Sequence, residues 1–154
     1  MVIESEYLFG AGRAVVWEAL QDPEILVRAL PGAVRLERVD SHKYAGEMVV
    51  GVGPVTAARF DISVELTDLV PPEAFTMIVG GEGRAGFVGG RADVQLEERG
   101  ARCLMRYRAD LQVGGPVAVV GQRLLDSVGE TMSQRGLETV DRMIGQREED
   151  RMTG

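Results

Sequence analysis

Apolar and polar residues alternate along several stretches in the middle of the chain. The stretches 58–66, 92–97 and 103–111 each place apolar residues at every second position. Such alternation indicates β-strands that have one apolar face and one solvated face. Turn-forming residues separate the stretches at short intervals, which favours an antiparallel meander over long crossovers. We therefore predict six consecutive strands between residues 31 and 115, after a first strand at 2–9.

Helical spacing flanks this sheet region on both sides. The apolar residues of 13–20 recur at helical spacing, and the Asp-Pro-Glu sequence at 22–24 is typical of the start of a second helix, predicted at 23–29. After two glycines, Pro116 is predicted to open a long amphipathic helix that ends near residue 145. The polar residues 146–154 are predicted to form a disordered tail.

These elements predict a single α+β domain over residues 1–145. A curved antiparallel seven-strand sheet would wrap around the long C-terminal helix, and two short helices would follow the first strand. Gly121, Gly129 and Gly136 lie in the predicted long helix, where each costs about 1 kcal/mol relative to alanine. Missing side chains there either let the helix approach the sheet closely or leave a cavity between them.

Composition excludes some classes of function. The chain has 154 residues, and its formal net charge of −7 disfavours a dedicated nucleic-acid binder, which needs clustered positive charge. No stretch approaches the ~20 apolar residues of a membrane span. The first residues do not resemble a signal peptide, and the single cysteine excludes an intramolecular disulfide. A cytoplasmic protein is the simplest interpretation.

Residues 81–86 read GEGRAG, which matches the G-x-G-x-x-G pattern of dinucleotide-binding loops. A phosphate-binding loop of that kind follows a strand and opens a helix whose N-terminus meets the pyrophosphate. The residues that follow alternate as a strand, so the required helix is missing. We therefore predict a glycine-rich hairpin or bulge, in which glycine permits positive φ and sharp curvature.

Few residues suggest catalysis or metal binding. His42 is the only histidine and lies in a predicted turn, while Cys103 falls on the apolar face of its strand, where cysteine usually behaves as a small hydrophobe. Arg102, Arg106 and Arg108 share a solvated face. We expect them to pair with acidic side chains on a neighbouring strand, the alternative being a basic patch for an anionic partner.

Six segments together resemble the CoxG family of carbon monoxide dehydrogenase subunits, within the START-like helix-grip superfamily that also includes polyketide cyclases. They are VWEALQDPEIL (16–26), LPGAVRLERVD (30–40), YAGEMVVGVGPVTAARF (44–60), LTDLVPPEAF (66–75), GEGRAGFVGGRADVQL (81–96) and VGGPVAVVGQRLL (113–125). The resemblance covers residues 2–144. It implies an antiparallel sheet that grips a long helix around an apolar cavity.

The resemblance also implies a function. CoxG proteins are accessory to molybdenum hydroxylases of the carbon monoxide dehydrogenase type, and they are associated with membrane recruitment and with a quinone electron acceptor. We therefore expect a protein without a catalytic centre or a metal that binds a quinone or lipid, in the cytoplasm or peripherally at the inner face of the cell membrane. Two alternatives remain: an enzyme of the cyclase or hydrolase type, and a docking subunit with a filled core.

The predicted ligand-binding residues are large apolar side chains from the sheet and the helices. They are Trp17, Leu20, Met48, Val50, Phe60, Phe75, Met77, Phe87, Met105, Tyr107, Leu124, Val128 and Met132. Methionine and aromatic side chains suit an adaptable apolar pocket. Tyr107 is the expected polar contact, because a buried phenol hydroxyl seeks a partner such as a quinone carbonyl. Phe87 is expected to close over the mouth of the cavity.

Overall fold

A computed structural model of the protein describes residues 1–52 and 55–153. The elements follow the predicted order. The strands are β1 (Val2–Phe9), β2 (Ala33–Asp40), β3 (Lys43–Val52), β4 (Val55–Val70), β5 (Ala74–Gly83), β6 (Gly86–Arg99) and β7 (Arg102–Gly114). The helices are α1 (Arg13–Ala19), α2 (Pro23–Ala29) and α3 (Gln122–Thr153). The predicted turn at Gly53-Pro54 lies outside the described residues.

The seven strands form one antiparallel sheet in the order β1-β7-β6-β5-β4-β3-β2. From β2 to β6, each strand is hydrogen-bonded to the next strand in the chain, which confirms the predicted meander. The exception is β1, which pairs with β7 from Val2 opposite Asp110 to Phe9 opposite Cys103. The predicted α+β helix-grip architecture is therefore correct.

The register assigns every strand residue to one of two faces, because side chains alternate across a strand. Phe75, Val94 and Tyr107 lie opposite one another on β5, β6 and β7 and belong to the apolar face, here called the inner face. The neighbouring row on the other face contains Asp93 and Arg108. That solvated side is the outer face.

The start of α3 differs from the sequence prediction. Pro116–Val120 forms a short 3-10 helix, and Gly121 ends it with a φ of 96°, a conformation that glycine adopts without a steric penalty. The α-helix therefore begins at Gln122 and not at Pro116. A proline followed by an amphipathic pattern does not distinguish these two helix types.

The end of α3 also differs. The helix continues to Thr153, whereas the sequence predicted its end near residue 145 and a disordered tail over 146–154. Arg147 lies in this extension and forms an ion pair with Asp22, 2.8 Å away, at the start of α2. The contact ties the first turn of the extension to the rest of the molecule, and the prediction did not take it into account.

Candidate functional site

Two groups of apolar side chains pack between the sheet and the helices. The first, called the packed cluster, joins α1, α2 and the second half of α3 to the sheet around Phe9, Trp17, Ile25, Phe75 and Val94. The second, called the hairpin cluster, contains Ala58, Phe60 and Val117 near the β5–β6 hairpin. Ile62 is partly buried and packs against both clusters, so it links them through β4.

Between these clusters the inner face is apolar but partly exposed. Val79, Val88, Ala109 and Leu111 occupy adjacent rows on β5, β6 and β7, and all four are partly buried. They are members of neither cluster. Gly90 lies between Val79 and Leu111 in one of these rows. The region bounded by these residues is here called the central space.

The structure places some of the predicted ligand-binding residues in the two clusters and the others outside both. The packed cluster contains Trp17, Leu20, Phe75 and Met105, with Met77 and Tyr107 partly buried against it. The hairpin cluster contains Phe60, with Val50 and Val128 partly buried against it. Met48, Leu124 and Met132 are partly buried and are members of neither cluster. A role for these residues in binding stays a prediction.

The prediction for Phe87 is wrong. Phe87 lies opposite Glu82 on β5 and Gly114 on β7, in a row of the outer face, and 49% of it is exposed. Its ring covers Gly114, where a Cβ atom would collide with it. Since the register continues unbroken from Phe87 to Arg99, the parity of the strand directs Phe87 away from α3. It therefore cannot close a cavity on the inner face.

Sequence reasoning also missed the residues that define the central space. Val79 continues the alternation of Phe75 and Met77 by one step, and Ala109 and Leu111 continue that of Tyr107. The signal was therefore present, but the prediction favoured large side chains. The central space is bounded mostly by smaller side chains.

A hydrogen-bonded group fixes α3 to β1. The Tyr7 hydroxyl donates to a carboxylate oxygen of Asp141 at 3.1 Å, and the Gly10 amide donates to the other oxygen at 3.0 Å. Burial, followed by this hydrogen bond to a carboxylate, raises the pKa of Tyr7 to about 12. The phenol is thus held in its protonated form, and the second half of α3 is tied to the sheet.

The GEGRAG segment forms the predicted hairpin. Gly83 and Gly86 are the last paired residues of β5 and β6, and a strand follows, so the nucleotide-loop interpretation is excluded. A Cβ atom on Gly83 would meet the Arg59 carbonyl oxygen, and one on Gly86 would meet the Gly114 carbonyl oxygen. These glycines therefore permit close approach of neighbouring strands.

The remaining chemical candidates have structural explanations. His42 is exposed in the β2–β3 turn, and Cys103 is fully buried, which raises the pKa of its thiol. Arg106 is paired with Glu6 and Glu97 on the outer face, as expected for cross-strand pairing. Among the described residues, no three His, Cys, Asp or Glu side chains are grouped as metal ligands.

Two open surface grooves lie away from the central space. One of about 570 Å³ runs along α1 and α2 beside Trp17, Asp22 and Arg38, and the other of about 540 Å³ crosses the outer face near Gly89 and Arg91. Charged side chains line both grooves and both are open to solvent. An apolar ligand would lose little contact with water in either one.

Comparison with known proteins identifies the family. The family of carbon monoxide dehydrogenase subunits designated CoxG matches residues 9–145. The chain belongs to the CoxG family. No curated protein matches the sequence significantly. Among the described residues of this CoxG protein, no helix is long and apolar enough to cross a membrane.

Solved structures support the fold. A conserved protein from Geobacillus kaustophilus is 27% identical, with a TM-score of 0.89 over 95% of this chain and 96% of its own. A START superfamily protein from Mycobacterium smegmatis has a TM-score of 0.71 at 8% identity, over 94% of this chain and 97% of its own. The Zhui aromatase/cyclase from Streptomyces sp. R1128 has a TM-score of 0.66 at 14% identity, over 96% and 94%. The last two similarities concern the fold alone.

Proposed function

We propose that this CoxG protein holds a quinone or similar lipid-like molecule in the central space, without itself carrying out chemistry on it. It would serve a molybdenum hydroxylase of the carbon monoxide dehydrogenase type, either by delivering the electron acceptor or by bringing the enzyme to the membrane. The family name supports the association with carbon monoxide dehydrogenase. A ligand-binding accessory role also fits the START-like fold.

The central space is the single observation that carries the proposal. Val79, Ala109 and Leu111 present apolar surface between the packed cluster and the hairpin cluster, yet each remains partly exposed. Apolar surface that stays hydrated costs about 25 cal/mol per Å² relative to burial. An apolar ligand that covered these side chains would recover that free energy.

Two neighbouring residues of β5 provide a matched test. Val79→Trp fills the central space, whereas Ile78→Trp places the same ring on the outer face, where Ile78 is already 41% exposed. Binding of a benzoquinone with a decyl tail is measured by calorimetry for both variants and the wild type. We expect Val79→Trp to weaken binding at least tenfold and Ile78→Trp to leave it unchanged. Circular dichroism of each variant confirms that it is folded.

Two further measurements complete the test. Lipid extraction and native mass spectrometry of protein from its own host should reveal a bound quinone or lipid, and reconstitution with the hydroxylase should accelerate electron transfer to that quinone. Protein that carries no lipid and takes up no alkylquinone would contradict the binding role. Equal binding by Val79→Trp and the wild type would move the site away from the central space.

A further inference from the structure

Ser5 breaks the alternation of β1 on its inner face. The inner-facing residues of this strand are Ile3, Ser5, Tyr7 and Phe9. Ile3 and Phe9 are buried and Tyr7 is partly buried, but Ser5 is exposed although it lies on the side of the sheet that α3 covers. A polar residue at an inward position is a local exception to the pattern of the fold, and such exceptions concentrate at functional sites.

Ser5 lies directly opposite Tyr107 on β7, so both side chains occupy the same face. Opposing Cβ atoms in an antiparallel pair are about 5 Å apart. In the part of the chain that the structure describes, neither hydroxyl has a protein hydrogen-bond partner, in contrast to Tyr7 and Tyr44, whose hydroxyls are bonded. Ala109, which bounds the central space, is the next residue after Tyr107 on the same face of β7.

The seam between β1 and α3 is closed on either side of Ser5. On one side Ile3 of β1 packs against Gly129 of α3. A Cβ atom added to Gly129 would lie only 2.7 Å from the Cδ1 atom of Ile3. On the other side the Tyr7 hydroxyl is bonded to Asp141. The exposure of Ser5 between these two contacts means that solvent reaches the inner face there.

The charge near this opening limits what could bind. The Asp141 carboxylate accepts its hydrogen bonds from Tyr7 and Gly10, and Glu138 lies close enough to contribute to the raised pKa of Tyr7. Two carboxylates near the opening would repel a phosphate or a carboxylate head group. Hydroxyl donors favour a neutral oxygen acceptor instead.

We infer that Ser5 and Tyr107 form the polar end of the ligand site, which rests on the proposed binding of an apolar molecule in the central space. The ligand is then an amphipathic molecule with a neutral carbonyl or hydroxyl oxygen. Its oxygen end accepts hydrogen bonds from Ser5 and Tyr107, and its hydrocarbon part lies on Ala109, Leu111 and Val79. The seam at Ser5 leaves the polar end within reach of water.

Three probes with the same tail length separate the contribution of the head group to binding from that of the hydrocarbon tail. A decyl-substituted benzoquinone offers carbonyl oxygens, decylbenzene offers none, and undecanoate carries an anionic head. Calorimetric titrations use the wild type, Ser5→Ala and Tyr107→Phe, with Ser63→Ala as the control because Ser63 is exposed on the outer face. Circular dichroism and thermal melts verify that all variants fold.

We expect the wild type to bind the quinone more tightly than decylbenzene, and undecanoate most weakly. Each hydroxyl removal should weaken quinone binding by about 2- to 12-fold, since a hydrogen bond contributes about 0.5–1.5 kcal/mol. Decylbenzene binding should be unaffected, and Ser63→Ala should match the wild type for every probe.

The outcomes distinguish this inference from the proposed function. If the wild type binds neither quinone nor decylbenzene, the ligand-binding function fails and the inference falls with it. If it binds both but Ser5→Ala and Tyr107→Phe leave quinone affinity unchanged, the inference alone is overturned. Undecanoate binding as tight as quinone binding would overturn the preference for a neutral head group.

Discussion

Strands β5, β6 and β7 build two different environments along their own length. At one end Phe75, Val94 and Met105 are buried in the packed cluster beneath α1 and α2. Farther along the same strands Val79 and Leu111 remain partly exposed on either side of Gly90. The two regions share one register and one sheet, and differ in side-chain volume and in burial.

This contrast shows how one sheet can supply both stability and a binding surface. Helix α1 brings Trp17 into an edge-on aromatic contact with Phe75, with the ring centroids 5.6 Å apart, so large side chains fill the packed end. The second half of α3 adds Val140 and Ile144 to this packed end and is hydrogen-bonded to Tyr7 through Asp141, whereas Gly129, earlier in the helix, contacts Ile3 of β1. The packed end is buried, while the side chains that bound the central space stay partly exposed.

Leucine truncation at each end should show the largest difference. Leu96→Ala, in the packed cluster, should lower the free energy of unfolding by about 2–5 kcal/mol because it leaves a cavity. Leu111→Ala should cost about 1 kcal/mol, because part of that side chain is already hydrated. Urea denaturation of both variants measures this, and equal losses would mean that the two ends are packed alike.

Substitution of two adjacent glycines of β6 tests how closely β6 and β7 approach each other beside the central space. Gly90 has a φ of 154°, and a Cβ atom there would meet the Asp110 carbonyl oxygen of β7, whereas the nearest atom to a Cβ on Gly89 is 3.9 Å away. Gly90→Ala should cost about 1–3 kcal/mol, and Gly89→Ala should stay within about 0.5 kcal/mol. Thermal melts compare the two, and a tolerated Gly90→Ala would argue against this close strand approach.

The smallest expected effect concerns the contact that ties α3 to the sheet. Tyr7→Phe removes the hydrogen bond to Asp141 and should cost about 1 kcal/mol at neutral pH. The folded-state pKa of about 12 exceeds the unfolded value of 10.0, so this contribution is complete below pH 10 and is lost as the pH rises toward 12. Denaturation curves at pH 7 and 11.5 should therefore differ less for Tyr7→Phe than for the wild type.

The control for this contact is Asp141→Asn. The amide preserves an acceptor for Tyr7 but removes the negative charge. The stability that Asp141→Asn loses between pH 7 and 11.5 should therefore fall between the losses of the wild type and of Tyr7→Phe. An alkaline loss that is identical in all three proteins would show that Tyr7 does not titrate differently in the folded state.

Most of the fold was predictable because local rules determined it. Period-two alternation located the strands, the Asp22-Pro23 pair located α2, and Asp22 does accept a hydrogen bond from the Glu24 amide as a helix cap. The failure of GEGRAG as a nucleotide loop was also predictable, since the following residues have the period of a strand. These properties depend on neighbours in the sequence.

The errors arose where long-range contacts decide the structure. The continuation of α3 includes an ion pair between Arg147 and Asp22, which are distant in sequence. Phe87 was assigned to the wrong face because glycines hide the alternation of apolar and polar residues in this part of β6. The pairing of Phe87 with Gly114 places it on the outer face. The role of Ser5 could not be inferred without knowing that β1 pairs with β7.

The pairing of β1 with β7 also has a consequence for the order of folding. Strands β2 to β7 join neighbours in sequence and need short loop closures, whereas Val2 meets Asp110 across more than a hundred residues. During synthesis the first strand emerges with no partner and must wait until β7 has left the ribosome. Closing so long a loop is slow, so docking of the N-terminal strand is expected to be the late step that completes the sheet.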